Sequence, residues 1–270
     1  MMVSALNTLY LRAKRIGMNA RPVTIVTYHS ISNTPDQYTV SRDAFARHVA
    51  FLAGHYRIAR LRDIRTVLDE SATNRERSVM VTFDDAYGDF YEAAQPILRK
   101  YSVPCTMFVP SGHLGGHNEW DSHRADYVKR SIMTPGQLTE LARSGLVDFG
   151  SHSVSHASMA ELSLPEMRRQ ARESAESLKT LLGSPITMFS YPYGRFSAAT
   201  SDVLRETNYD IAVTTKWGTL NGARNLLSLK RITLGERDSS DDIRTKIDGG
   251  HDIFYAKGVG SRLRAMTRHP

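Results

Sequence analysis

The sequence predicts an α/β fold on a mainly parallel sheet of seven or eight strands, and three observations lead there. Short apolar runs rich in β-branched residues alternate with amphipathic stretches along the chain, the pattern of strands and helices laid down in turn. The residues best suited to chemistry stand just after these runs, where the loops of parallel β/α folds converge. The length of 270 residues also suits a (β/α) barrel, which commonly takes about 250.

The runs in order are 23–28, 57–59, 79–83, 105–109, 147–150, 186–190, 211–214 and 229–234. Val23-Thr-Ile-Val-Thr-Tyr28 and Val79-Met-Val-Thr-Phe83 combine β-branched and aromatic types that favour strands, whereas 57–59 is the weakest of the set. Between them lie spacings of helical period: Phe45, Val49 and Leu52; Leu138 and Leu141; and Met167 to Leu182. The last opens with Ser163-Leu-Pro-Glu166, a capping-box sequence with proline in the first turn. Periodicity alone leaves a barrel and a doubly wound open sheet both available. No repeat, low-complexity tract or Pro/Gly/Ser linker divides the chain.

The net charge of +7 is uneven. Residues 1–22 hold four cations and no acid, and residues 251–270 carry a net +3, which leaves 23–250 neutral. A nucleic-acid groove would run across the folded body, so nucleic acid is not an expected partner. The two basic ends read as solvated tails or as peripheral contacts with an anionic membrane. Val3 to Leu11 is too short and too interrupted for a signal-peptide core, and no uncharged apolar stretch reaches the roughly 18 residues of a membrane span. The sole cysteine, Cys105, lies in an apolar run and forms no internal disulfide. A cytoplasmic location, peripheral at the inner membrane face, is the expectation.

Five segments place functional side chains on one predicted rim. His29 follows the first run, Asp84 and Asp85 the run 79–83, His152 the run 147–150, and Tyr191-Pro-Tyr-Gly194 the run 186–190. One carboxylate and two imidazoles could hold a divalent metal, and a second carboxylate could act as base beside it. His152 and His156 are one helical turn apart, so their rings would face the same way if that loop coils. A second His-x3-His, His113 with His117, is embedded in glycines that oppose a helix and has no acidic pair; it is not expected to bind metal.

Thr82-Phe-Asp-Asp85, His152-Ser-Val-Ser-His156 and Phe189-Ser-Tyr-Pro-Tyr-Gly194, in this order and spacing, resemble the polysaccharide deacetylase family, also called the NodB-homology or carbohydrate esterase 4 domain. The likeness spans roughly residues 23–235, with 1–22 as a basic N-terminal extension and 236–270 as a C-terminal extension with a basic tail. It implies an irregular, seven-stranded (β/α) barrel that removes acetyl groups from N-acetylated, and sometimes O-acetylated, sugars. It further implies Asp84 as general base and Asp85, His152 and His156 as ligands of one divalent ion. That ion is zinc first, with cobalt, nickel, iron or manganese as alternatives. Tyr193 would give a backbone N–H to the oxyanion.

The chain also departs from the family pattern. In many members the general acid is a histidine on a late strand, yet here that strand reads Leu229-Lys-Arg-Ile-Thr-Leu234. His29 and His251 are the candidates. His29 is favoured because it ends a strand, and its Tyr-His segment resembles the permuted subgroup acting on poly-β-1,6-N-acetylglucosamine. Ser190 stands where many relatives carry the arginine that orients the base, and Ala86 where many carry glycine. Arg231 is expected on the substrate side of the site, or as a replacement charge beside Asp84. Tyr191 is expected to contact substrate. Trp120 would stack on a sugar ring or pin its own loop.

The resulting expectation is a metal-dependent de-N-acetylase of an N-acetylhexosamine in a bacterial polysaccharide or a lipid- or nucleotide-linked precursor. An O-acetyl esterase and a catalytically silent carbohydrate-binding subunit are the alternatives.

Overall fold

The computed structural model of the chain describes residues 23–71 and 77–250. Among these residues are ten strands and seven α-helices. The strands are β1 (Val23–Tyr28), β2 (Ser30–Ile31), β3 (Thr39–Val40), β4 (Arg57–Ile58), β5 (Ser78–Phe83), β6 (Cys105–Val109), β7 (Val147–Ser151), β8 (Met188–Ser190), β9 (Ile211–Trp217) and β10 (Leu229–Thr233). The helices used below are α1 (Arg42–His55), α2 (Ile64–Glu70), α3 (Gln95–Lys100), α4 (Pro135–Arg143), α5 (Leu164–Leu182), α6 (Ala198–Glu206) and α7 (Ser240–Ile247).

Periodicity could not decide between open and closed, and the pairing of β1 does. It lies parallel to β10 on one side and to β5 on the other. With β5–β6–β7–β8–β9–β10 also parallel throughout, seven strands close into a barrel. β4 pairs with Ser78 and Val79 on the edge of β5 that β6 takes over from Val81 onward, so it fills the lower part of one seam.

Strand alternation divides the side chains into two layers. Ile25, Met80, Phe108, Met188, Val213 and Leu229 form one buried cluster inside the ring. Val26, Val81, Phe83 and Phe189 belong to the larger cluster under the helices. Two residues further along the inward phase the chemistry changes: Thr27, Thr82, Ser190 and Arg231 are all buried. The barrel is therefore plugged with hydrocarbon below and lined with polar groups towards its C-terminal end.

The predicted strands form, with their ends shifted by up to three residues. α5 begins as expected, with Ser163 as N-cap and a proline in the first turn, and it ends at Gly183 in the left-handed conformation (φ 72°). Only half of the expected capping box is present, because the Glu166 carboxylate pairs with Arg169. Within the segment expected as a C-terminal extension, α7 is part of the body. Its Ile243 and Ile247 lie in the core, and Thr24 Oγ1 donates to Ile247 O at 3.3 Å. The basic stretches 1–22 and 251–270 lie outside the described residues.

Gly150 shows how tightly the plug is fitted. A Cβ there would stand 2.5 Å from the Phe108 ring and 2.8 Å from Met188 O. Gly150→Ala is expected to cost about 1–3 kcal/mol through overpacking, to be read as a lower urea midpoint with an unchanged slope.

Candidate active site

Two adjacent carboxylates leave β5 in different directions, and the backbone decides which goes where. Asp84 continues the ladder, its N–H donating to Tyr28 O at 3.1 Å, and so keeps the inward phase of Met80 and Thr82. Asp85 turns into the left-handed region at φ 71° and faces the loop after β7 instead.

Inside the barrel Asp84 meets Arg231 of β10 in a two-pronged ion pair. Nη1 donates to Oδ1 at 2.8 Å and Nη2 to Oδ2 at 2.6 Å. The guanidinium also donates to Thr214 O at 3.0 Å, Thr27 Oγ1 at 3.1 Å, Thr82 Oγ1 at 3.3 Å and Ser190 Oγ at 3.2 Å. Burial alone would push the Asp84 carboxyl up; Arg231 outweighs it and holds the group below its ordinary value. Ser190 Oγ adds a hydrogen bond to Asp84 Oδ2 at 3.3 Å. The expectation that Arg231 reaches substrate is corrected, since its side chain is 1% exposed and bonded to the protein on all sides. A charge beside Asp84 is what it supplies. His29, between β1 and β2, has Nε2 3.9 Å from Asp84 Oδ2.

The loop after β7 does not coil into a helical turn. His152 N–H extends the β7–β6 ladder to Val109 O at 2.9 Å. Ser153 (φ 64°) and His156 (φ 57°) then take left-handed conformations, and these bring both imidazoles onto Asp85. Buried polar groups of α5 hold that shape: Gln170 Oε1 accepts the N–H groups of Val154 and Ser155 at 2.9 and 3.1 Å. Ser174 Oγ meets Ser151 Oγ at 2.6 Å and Ser153 O at 3.1 Å. Neither Gln170 nor Ser174 was singled out from sequence, although polar residues four apart among the apolar positions Met167, Ala171 and Leu178 were a readable signal.

The donor set at Asp85 fits a divalent cation. His152 Nδ1 sits 2.7 Å from Ser190 O, which only accepts, so Nδ1 carries a proton and Nε2 turns its lone pair inward. That Nε2 and His156 Nε2 lie 3.4 and 3.2 Å from Asp85 Oδ1. Oδ1 is nevertheless buried without a hydrogen-bond partner, an arrangement of lone pair against carboxylate that a cation between them would satisfy. Among the described residues these three form the one group of metal-ligating side chains, with ligand atoms within 4.8 Å of one another. Burial opposes charge on all three, yet the imidazoles keep Asp85 well below its ordinary value and the carboxylates keep His152 above its own. At His156 burial prevails and its pKa is lowered.

Trp120, in the loop after β6, stacks on His156 with centroids 4.4 Å apart, and Tyr193 meets the same ring edge-on at 4.8 Å. Trp120 thus buttresses a candidate ligand as well as packing against His113. Tyr193 takes φ 58° in the turn after β8 and is 42% exposed. Tyr191 is corrected: it is fully buried between Phe189 and Phe196, with its hydroxyl donating to Leu227 O at 3.0 Å, and has no face for a ligand. Among the described residues His113 and His117 join no metal-ligating group, and His251 lies outside them.

The description "Polysaccharide deacetylase" matches residues 71–212. The chain belongs to the polysaccharide deacetylase family. YxkH of Bacillus subtilis (strain 168), whose name places it among polysaccharide deacetylases, is 26% identical over 209 residues, covering 77% of this chain and 70% of its own. The poly-β-1,6-N-acetyl-D-glucosamine N-deacetylase of Staphylococcus aureus (strain MSSA476) is 23% identical over 237 residues, covering 84% and 78%. The Streptococcus pyogenes deacetylase PplD, solved in complex with acetate, has the same fold: the TM-score is 0.72 at 24% identity over 84% of this chain and 99% of that one. No helix of this deacetylase-family chain is long and apolar enough to cross a membrane among the described residues.

Two outcomes follow from this geometry. Calorimetric titration of chelator-treated protein with zinc is expected to give one site per chain. Asp85→Ala or His156→Ala should weaken it beyond the roughly 10–100-fold cost of losing an outer-shell partner. Arg231→Met, which strands the Asp84 charge, is expected to destabilise by about 3–5 kcal/mol at pH 7. Asp84 titrates lower when folded, so the pair's contribution is present above about pH 4 and is lost as pH falls through the folded value. Denaturation at pH 7 and again in the acid range reads the difference.

Proposed function

We propose that this chain is a metal-dependent hydrolase that removes the N-acetyl group from an N-acetylhexosamine, releasing acetate. The acceptor is a residue in a bacterial polysaccharide or in a lipid- or nucleotide-linked precursor. The observation that carries this reading is the separation of roles between neighbouring carboxylates: Asp85 faces two imidazoles, while Asp84 is held ionised by Arg231. The similarity to a relative named for poly-β-1,6-N-acetyl-D-glucosamine supports the sugar class.

A divalent ion held by Asp85, His152 and His156, zinc foremost, supplies Lewis acidity and lowers the pKa of water. Asp84 takes the proton of the attacking water, oriented by its two-pronged bond to Arg231. The Tyr193 backbone N–H donates to the acetyl oxygen as charge develops there. His29, across from Asp84, gives a proton to the leaving nitrogen as the C–N bond breaks. The exposed Tyr193 ring and the rim around Trp120 offer apolar faces to the pyranose.

We place the reaction in the cytoplasm, at the inner membrane face. The support is a lone buried cysteine that needs no oxidising compartment, together with basic end segments suited to an anionic surface. Fractionation finding the mature protein elsewhere would overturn that location.

The test is acetate release from N-acetylglucosamine oligomers and from lipid- or nucleotide-linked N-acetylhexosamines, beside an O-acetylated glycan. Release should fall with chelator, return with zinc or cobalt, and drop about 10²–10⁴-fold in Asp84→Asn. Release indifferent to both chelator and Asp84→Asn would sink the reading. Arg231→Met removes the strongest influence opposing burial on Asp84, so the acid limb of its pH–rate profile should move to higher pH than in the parent protein.

A further inference from the structure

Among the described residues the ring of His29 makes no hydrogen bond of its own: Asp84 lies 3.9 Å away and the Tyr38 ring 5.3 Å between centroids. Its place must come from the segments on either side, and one partly buried cluster fixes both.

Directly after His29, Ser30 Oγ donates to Asp89 Oδ2 at 2.5 Å and Ile31 N–H donates to Asp89 Oδ1 at 3.1 Å. Asp89 lies four residues beyond Asp85, on the same loop that carries the base, so the acid and base segments are joined through it. On the ring side, Asp36 Oδ1 accepts Tyr38 N–H at 2.7 Å and thereby places the ring that lies against His29. Arg130 connects the halves. Its Nη2 donates to Asp36 Oδ2 at 2.7 Å, its Nη1 is 3.8 Å from Asp89 Oδ2, and its side chain is 8% exposed. A guanidinium so placed is a shared counter-ion for two partly buried carboxylates.

We propose that Asp89 and Arg130 form a partly buried clamp that positions His29 beside Asp84 for proton delivery to the leaving nitrogen. This rests on the reading of His29 as the acid of the deacetylation above. Asp89 and Arg130 are positioning residues, since they reach the reaction only through His29.

The test compares two leaving groups in the full-length, metal-loaded protein. An amine must be protonated as it departs from an N-acetylglucosamine oligomer; the 4-nitrophenolate of 4-nitrophenyl acetate departs without a proton. Asp89→Asn and Ser30→Ala should each lower kcat on the oligomer about tenfold or more and leave the ester rate unchanged. The double variant should be no worse than the poorer single one, as expected for two ends of one bond. Equal losses on both substrates, or no loss on either, would overturn the clamp. A second reading is independent of turnover: the nuclear Overhauser contact between the His29 and Tyr38 rings should be present in the parent and weakened in both variants. Should the parent cleave neither substrate, the deacetylase reading fails, and persistence or loss of that ring contact decides the clamp alone.

Discussion

A guanidinium buried inside a closed barrel must find acceptors in every direction, and the upper half of this molecule is arranged around that requirement. Arg231, from β10, reaches groups on β1, β5, β8 and β9, so one side chain ties together five of the seven barrel strands. Its demands account for the inward hydroxyls of Thr27, Thr82 and Ser190, which would be costly there without a donor. They also account for the serine at position 190. The charge that many relatives are expected to bring from that strand arrives here from β10, and an arginine at 190 would crowd a second cation against the first. Measured against two apolar side chains the pair adds little, because desolvation offsets attraction; removing one partner alone is what costs stability. What it provides is a buried carboxylate that stays ionised.

The strands were legible because a parallel barrel is covered on both faces, which writes each strand as an unbroken apolar run. Closure was not, since the β1–β5 pairing joins segments whose adjacency leaves no periodic trace. The site was legible wherever a residue sits at a strand end, which is why Asp84, Asp85, His152 and His29 stand together on one rim. Side-chain phase was the less legible part. Tyr191 still belongs to the core phase of β8, and Tyr193, two residues further, has left it by a left-handed turn. Arg231 shares the inward phase of Leu229, a relation that alternation would have given. The loop 152–156 was read by helical spacing, whereas backbone turns at Ser153 and His156, pinned by Gln170 and Ser174, do the converging.

Those turns have a cost. Of the seven non-glycine residues with positive φ among the described residues, Asp85, Ala86, Ser153, His156 and Tyr193 lie in or beside the site. Each such conformation is disfavoured by about 1–2 kcal/mol for an L-residue, and it persists only because surrounding contacts over-determine it. The loops that carry the candidate ligands are held in shape by the protein's own contacts, among them those of Gln170 and Ser174. An ion that binds only the folded state adds RT ln(1 + [L]/Kd) to its stability, about 2.7 kcal/mol at a hundredfold excess over Kd. For a barrel carrying this much local strain, a cation held as proposed would also lengthen the time each copy escapes unfolding and proteolysis, a role separate from any part in turnover.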